Sequence, residues 1–299
     1  MVMTLQRKNV CFSYVMLTPL LLITVFVLII PLLSAFRLSF FQYRLGQVDP
    51  MEYVGTANYL RIFRDSRFLA AFARTVIFMA ATVSLQMFGG FFVALLLAKP
   101  FPAKGLLIAA VLSPMAASEA VLAVIWRYLL NFQMGPVNYA LQLLGMQRVQ
   151  FLTSPEWALW SVVFVYSWQA FPSVFILLYP VRLSIPRELY EAAHIDGSSA
   201  FQTLRLITAP MMRPGILVAL VFRTIISLRT FGIFQTLTRG GPGRATEVLS
   251  IFLYQRTFAY WQFGAGAAVG FIMVALTMVL ASGQIRRMHK SLFGREAPR

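Results

Sequence analysis

Residues 185–210 read IPRELYEAAHIDGSSAFQTLRLITAP, and this polar, amphipathic stretch between two long apolar segments decides the fold. Gly197 suits the position just past a helix end, where a left-handed backbone costs glycine least. Ser199 followed by Gln202 has the spacing of a capping box that opens a second helix, and Pro210 is expected to close that helix. We therefore predict two short helices that meet at a bend around Gly197.

The composition is that of a membrane protein. The chain has 299 residues, of which 59% are hydrophobic and 12% charged, and its mean hydropathy is +0.73. The lone cysteine, Cys11, excludes an internal disulfide framework, and no cluster of His and Cys predicts a metal site. The net charge of +16 is scattered through loops without interleaved aromatic residues, so a lipid bilayer rather than nucleic acid is the expected partner.

Six segments are apolar and long enough to cross a hydrocarbon core of ~30 Å. The first is longer than the apolar region of a signal peptide and lacks a cleavage site, so it is expected to remain as an anchor. We predict an all-α membrane protein with one transmembrane domain over residues 1–299 and a basic tail at 285–299. The predicted anchor is 12–36, and the core helices, within about 72–284, are 72–97, 105–130, 157–180, 214–236 and 264–284.

The distribution of basic residues predicts the orientation. With both termini in the cytoplasm, the cytoplasmic segments hold thirteen basic residues, including every lysine, and the opposite side holds nine. This bias places the 185–210 segment in the cytoplasm. The long external segment 37–71 is expected to form an interfacial helix, with Tyr53, Tyr59, Phe63 and Phe68 at the headgroup level rather than in a substrate role.

The 185–210 segment resembles the EAA motif in the membrane subunits of bacterial ATP-binding-cassette importers. The motif residues are Glu191, Ala192, Ala193, Gly197, Ile207 and Pro210, and the neighbours Pro186, Glu188 and Pro214 resemble the sugar-permease branch of the maltose/trehalose type. Two positions depart from the pattern, since Ala209 replaces a usual leucine and Ser198 a usual alanine. The resemblance implies a type I importer fold with a pair of cytoplasmic coupling helices that sit in a cleft of the ATPase. The implied ATPase-coupling residues are Glu188, Glu191, Ala192, Ala193, Asp196, Gly197 and Pro210.

Further runs between Tyr53 and Phe258 are similar to the same family. They imply a permease subunit of the bacterial cytoplasmic (inner) membrane that forms half of a translocation path. The implied partners are a second permease, two ATPase subunits and an extracytoplasmic solute-binding protein. The chain contains no GxxxxGK[ST] motif, no paired carboxylates and no nucleophile–base set, so we expect no enzymatic activity and no bound cofactor. ATP and Mg are expected on the partner ATPase subunits.

Polar side chains inside the predicted spans are candidates for the solute path. An arginine at mid-membrane costs ~2.5–3.5 kcal/mol on insertion scales, so Arg223 requires a partner or a wet cavity. The alternative for these residues is structural, as interhelical hydrogen bonds or as a pair between Arg223 and either Glu119 or the sister subunit. The candidates are Gln86, Glu119, Trp168, Gln169, Arg223, Ser227 and Arg229.

The run around Arg223 resembles disaccharide permeases, in which acidic residues usually stand at the places of Ile226 and Gly232. Two arginines without those acids would favour an anionic sugar, and neutral, acidic, phosphorylated and sulfonated sugars all remain open. The alternative function is an ion-coupled secondary transporter of a small polar solute. That class predicts ionisable relays and an internal repeat, and the sequence offers few of the former and none of the latter.

Overall fold

The computed structural model describes residues 16–44, 46 and 51–293, with side chains through residue 288. Cys11, the first residues of the predicted anchor and the end of the basic tail lie outside this part of the chain. Two short strands, β1 (Phe41–Gln42) and β2 (Glu52–Tyr53), form an antiparallel hairpin. The helices are α1 (Met16–Leu38), α2 (Ala57–Arg64), α3 (Ser66–Leu96), α4 (Lys104–Ala116), α5 (Glu119–Leu129), α6 (Pro136–Leu143), α7 (Pro155–Leu183), α8 (Arg187–Ile195), α9 (Ala200–Leu228), α10 (Gly232–Leu237), α11 (Leu249–Tyr254) and α12 (Phe263–Phe293).

Five of the described helices are long and apolar enough to cross a membrane, namely α1, α3, α7, α9 and α12. The pair α4 and α5 makes a sixth apolar segment, which is bent by 97°. An all-α membrane protein with about six spans is therefore confirmed. The prediction of one continuous helix over 105–130 was wrong.

The break between α4 and α5 follows from three neighbouring residues. Pro114 removes a backbone donor near the end of α4, and Ala117 is extended, with φ −94° and ψ 145°. The Ser118 hydroxyl then accepts a hydrogen bond from the Val121 N–H at 3.4 Å, which caps a new helix. A helix restart with its own cap thus replaces the expected straight span.

The fifth span also differs from its predicted bounds of 214–236. The helix α9 begins at Ala200 and continues through Pro210 and Pro214, so Pro210 does not close the second short helix. A π-helical turn at Leu204–Thr208 directly precedes the prolines, and the Ala209 N–H donates to the Leu204 carbonyl. This wider turn makes room for a ring that lacks an N–H donor and would clash with the preceding turn.

By their internal contacts the residues form two compact units. The hairpin unit comprises the described residues up to Asp65 together with Leu253–Ile272, and the helical unit comprises Ser66–Phe252 and the described residues from Met273 onward. In the hairpin unit, the Asn58 side chain donates to the carbonyls of Ser39 at 2.9 Å and Phe41 at 3.0 Å. Since Asn58 is buried on α2, these bonds fix that helix against the start of the hairpin.

In the helical unit, α3 and α7 approach closely at Gly90. A Cβ added at Gly90 would lie 2.5 Å from the Val174 Cβ, so this contact requires glycine. One buried cluster joins α3, α5, α7 and α10 through Phe78, Ala123, Tyr166 and Phe234, among others. A second cluster joins α3, α7 and α9, and it includes Ala94, Val174, Phe175, Leu178, Met212 and Ala219. These two clusters hold the helices that carry the polar residues described below.

The segment 37–71 does contain a short helix, α2, which carries Tyr59 and exposes Leu60 and Phe63. Two of the four predicted aromatic residues do not belong to it, since Tyr53 lies in β2 and Phe68 in the next helix. Phe68 lies in α3 and is buried, with its ring centroid 5.8 Å from that of Phe252. The expectation that Phe68 lies on the interfacial helix was therefore wrong, because α3 begins at Ser66 and buries this side chain in the helical unit.

Candidate functional site

The predicted bend at Gly197 is built by hydrogen bonds at the end of α8. Gly197 has φ +71°, and its N–H donates to the His194 carbonyl at 3.1 Å. The Ser198 N–H donates to the Ala193 carbonyl at 2.9 Å, which completes a Schellman motif. A Cβ at Gly197 would meet nothing within 4 Å, so backbone conformation rather than space selects glycine here.

The capping box that opens α9 is confirmed. The Ser199 hydroxyl accepts from the Gln202 N–H at 3.3 Å, and the Gln202 side-chain oxygen accepts from the Ser199 N–H at 2.7 Å. Two backbone donors at the helix start are satisfied in this way. The bend is therefore defined on both sides by local hydrogen bonds.

One face of α8 is fixed to the rest of the helical unit. The Tyr190 hydroxyl lies 3.1 Å from the Thr208 hydroxyl, and the Arg182 guanidinium lies 4.4 Å from the centroid of the Tyr190 ring. Ala193, one turn further along α8, is buried. These contacts connect α8 to the end of α7 and to the π turn of α9.

The opposite face of the segment is open. Glu188, Glu191, Ala192, Asp196 and Gly197 are exposed, as is Pro210 within α9, whereas Ala193 faces inward. Three large apolar side chains beside them are also exposed, with Ile195 at 85%, Phe201 at 69% and Leu206 at 68%. Exposed large apolar side chains on a polar segment are typical of an interaction surface. Sequence reasoning missed these three residues, and their apolar character within a polar stretch was the available signal.

A second group of polar residues surrounds Arg223, which is 4% exposed. Its Nε donates to Gln86 Oε1 at 2.7 Å, and its Nη2 donates to the Tyr166 hydroxyl at 3.3 Å. The Thr230 hydroxyl lies 2.9 Å from the Tyr166 hydroxyl. We call Gln86, Tyr166, Arg223 and Thr230 the arginine cluster. It joins α3, α7 and α9 to Thr230, which follows the end of α9.

Several buried polar atoms in and near this cluster have no hydrogen-bond partner among the described residues. They are Gln86 Nε2, Ser227 Oγ, Gln169 Oε1 and Ser167 Oγ. A buried polar group without a partner costs ~1–3 kcal/mol. Four such atoms on α3, α7 and α9 indicate donors and acceptors that are available to water or to a solute.

Glu119 begins α5 and is half-buried. It accepts a hydrogen bond from the Ile233 N–H, and its Oε2 lies 2.8 Å from the place of a Cβ at Gly232. Glycine at 232 therefore permits this close approach. Among the described residues, no ion pair joins Glu119 and Arg223 within 4.0 Å, and Arg223 bonds to neutral partners instead. The alternative in which Arg223 forms an ion pair with Glu119 is not realised.

Trp168 and Arg229 lie away from the arginine cluster. The Trp168 ring is 38% exposed and packs edge to face on Trp126, with centroids 5.5 Å apart. Arg229 is exposed and ends α9 as its C-cap. The structure thus joins Gln86 with Arg223 but brings neither Trp168 nor Arg229 to them. Tyr166 and Thr230 were missed, although a tyrosine inside an apolar span was a usable signal.

A buried ion pair anchors the loop that follows α10. The Arg67 Nε lies 2.8 and 3.0 Å from the two carboxylate oxygens of Glu247, which is fully buried. The hydroxyl of the neighbouring Thr246 lies 2.7 Å from that of Thr238. This pair, which sequence reasoning also missed, ties the loop to the first turn of α3.

Comparison with known proteins places these features in a family. Residues 9–292 match the family described as the binding-protein-dependent transport system inner membrane component. The trehalose/maltose transport system permease protein MalF of Thermococcus litoralis is 33% identical, with 95% of this chain and 97% of the relative covered. The sulfoquinovosyl glycerol transport system permease protein SmoG of Agrobacterium fabrum is 31% identical, with 92% of this chain and 89% of the relative covered.

Solved structures support the same fold. A bacterial ABC transporter involved in the import of the acidic polysaccharide alginate contains a chain with a TM-score of 0.85 and 22% identity. That match covers 97% of this chain and 99% of the other. The same architecture therefore extends over nearly the whole sequence. The chain belongs to the family of binding-protein-dependent transport system inner membrane components.

Proposed function

We propose that the chain is the permease subunit of an ATP-driven importer of a sugar or sugar derivative. The observation that carries this proposal is the segment from α8 to the start of α9, where capped helices present a partly apolar surface on an otherwise polar stretch. The relatives named for trehalose/maltose and sulfoquinovosyl glycerol transport support a carbohydrate solute. The ion-coupled alternative has no observation in its favour.

In this proposal residues 185–210, which we call the coupling segment, dock on an ATPase subunit. Its polar contacts come from Glu188, Glu191 and Asp196, and the small side chain of Ala192 allows close approach. Ile195 with Phe201 forms its apolar anchor. Tyr190 and Ala193 support it from behind. Force applied at this surface passes into α9, which is one helix from Ala200 to Leu228. Arg223 lies 23 residues after Ala200, or about 35 Å along the helix at 1.5 Å per residue.

The arginine cluster is the proposed contact with the solute. A sugar offers hydroxyl groups, and the unpartnered Gln86 Nε2, Ser227 Oγ and Gln169 Oε1 offer matching donors and acceptors. The Arg223 guanidinium has only neutral partners among the described residues, so its charge is available to an acidic substituent. Neutral, acidic, phosphorylated and sulfonated sugars are all compatible with these groups.

The complex proposed around this chain contains a second permease subunit, two ATPase subunits and an extracytoplasmic solute-binding protein. The family is described as binding-protein-dependent, which supports the last of these. ATP and Mg belong to the ATPase subunits, since this chain has no ATP-binding motif and no catalytic set. A cytoplasmic location of both termini is supported by the count of basic residues, since that orientation gives the cytoplasmic segments thirteen of them and the opposite side nine.

Uptake into proteoliposomes tests the proposal. The complex is reconstituted with its binding protein, and labelled sugar uptake is measured with and without enclosed ATP. We expect uptake that requires ATP and persists when an ionophore dissipates the proton and sodium gradients. Uptake that ignores ATP and stops with the ionophore would instead establish the ion-coupled alternative.

A further inference from the structure

A polar cavity of about 280 Å³ lies within the hairpin unit. This volume is close to the lower end of small-ligand pockets, which measure ~300–1,000 Å³. Its lining includes three arginines, Arg44, Arg61 and Arg256, but a single carboxylate among the described residues, that of Asp65. Among the lining residues that the structure describes, positive charges therefore exceed negative charges by two.

The hydrogen bonds of these arginines show where the excess charge lies. Arg256 forms an ion pair with Asp65 and also donates to Gln262 Oε1 at 3.0 Å. Arg61 donates to the side-chain oxygen of Gln42 at 3.3 Å, and this amide carries no charge. The described residues provide no hydrogen bond or ion pair for the Arg44 guanidinium. Within the described part of the chain, the guanidinium groups of Arg44 and Arg61 thus have no acidic partner.

The depth of the cavity in a membrane is indicated by the ends of the two membrane-crossing helices next to it. The first membrane-crossing helix, α1, ends at Leu38, four residues before the lining residue Gln42. The last, α12, begins at Phe263, directly after the lining residue Gln262, and Ala265 within it also lines the cavity. Because two apolar spans end at this cavity, it lies at the boundary between hydrocarbon and water.

The helix α2 supplies a second sign of the same boundary. Leu60 and Phe63 on this helix are exposed, at 55% and 54%, and they flank the lining residue Arg61. Exposed apolar residues next to basic ones on a short helix are typical of a segment that lies in the headgroup region.

We propose that this cavity, which we call the arginine cavity, binds the phosphate of an anionic phospholipid headgroup. Guanidinium groups suit this ligand because their planar donors match two phosphate oxygens at once. Arg44 and Arg61 bind the phosphate, while Leu60 and Phe63 rest on the acyl chains below it. The bound lipid fixes the hairpin unit at its level in the membrane, whatever solute the protein transports.

Native mass spectrometry of the purified transport complex in detergent tests this site. The complex is titrated with phosphatidylglycerol and, separately, with zwitterionic phosphatidylcholine. A basic side chain near an anionic lipid surface contributes about five-fold in affinity. We therefore expect the wild type to prefer phosphatidylglycerol and the double variant Arg44→Gln/Arg61→Gln to bind it roughly 25-fold more weakly. The matched control is Arg64→Gln, an exposed arginine on α2 that does not line the cavity, and it should bind as the wild type does.

Three results would overturn the proposal. One is equal retention of phosphatidylglycerol by the wild type and the double variant. Another is wild-type binding that does not weaken when salt rises from about 0.05 to about 0.5 M, a test that needs no variant. The third is a double variant that keeps its lipid but loses affinity for the extracytoplasmic binding protein in lipid-free detergent, because the cavity would then accept an acidic side chain of that protein.

Discussion

Replacing Arg223 with methionine separates a role in solute contact from a role in holding the helices together. The substitution keeps an unbranched apolar side chain of similar length in a site that is 4% exposed. It removes the charge-assisted hydrogen bond to Gln86, for which ~1.5–3 kcal/mol is typical, and a longer one to Tyr166. It also removes the insertion cost of a membrane arginine, ~2.5–3.5 kcal/mol. These contributions nearly cancel, so we expect the stability of the assembled complex to change by less than about 2 kcal/mol.

Transport should respond differently. If the Arg223 guanidinium donates to the solute, its loss removes ~1.5–3 kcal/mol, which corresponds to a roughly ten- to hundred-fold fall in uptake efficiency. Thermal unfolding of the purified complex and initial rates of uptake in proteoliposomes measure the two effects separately. The control is Arg148→Met, an exposed loop arginine that should change neither. A destabilised complex with normal uptake per assembled molecule would refute the solute role and leave Arg223 structural.

Three further experiments probe other parts of the structure. Gly197→Val forces a β-branched residue to φ +71°, at a cost of ~1–2 kcal/mol or more. Stimulation of ATP hydrolysis by the loaded binding protein should therefore fall, whereas Gly197→Asn should retain most of this stimulation. Equal stimulation in both variants would contradict a role of the bend in coupling. Replacing the exposed Ile195 and Phe201 together with serine should leave thermal stability unchanged and cut co-purification of the ATPase at least ten-fold; an undiminished ATPase yield would remove them from the docking surface. Glu247→Ala leaves Arg67 without its buried partner and should destabilise the complex by ~3–5 kcal/mol in thermal unfolding, and an unchanged midpoint would show that the pair does not anchor the loop.

The bend at Gly197 was predictable because its causes are local. The left-handed glycine and the capping box of Ser199 with Gln202 depend on residues within a few positions of one another, and both appear in the structure. The end of that second helix was not predictable from Pro210. A proline normally breaks the bonding pattern, but a π turn immediately before it absorbs the change, and no residue pattern announces such a turn.

In the arginine cluster, likewise, the buried arginine could be predicted from its local sequence, but its partners could not. Arg223 stood out in the sequence because an arginine inside an apolar span is costly. Its partner Gln86 lies 137 residues away, and an apparent partner of opposite charge, Glu119, bonds to the Ile233 backbone instead. Which of two polar residues meets an arginine depends on how the helices pack, and hydrophobic periodicity does not encode that choice.

The π turn at Leu204–Thr208 also fixes the rotation about the helix axis between the two ends of α9. One extra residue in a helical turn rotates everything beyond it by about 100° around the axis. The capping box at Ser199 lies on one side of this turn and Arg223 on the other, so the turn sets the direction in which Arg223 points when the coupling segment is seated. Deleting one residue from 204–208 would leave both ends of α9 chemically intact and turn Arg223 away from Gln86. An insertion or deletion in this short region would therefore rotate the rest of α9 relative to the coupling segment. A substitution of one of its exposed side chains would leave that rotation unchanged.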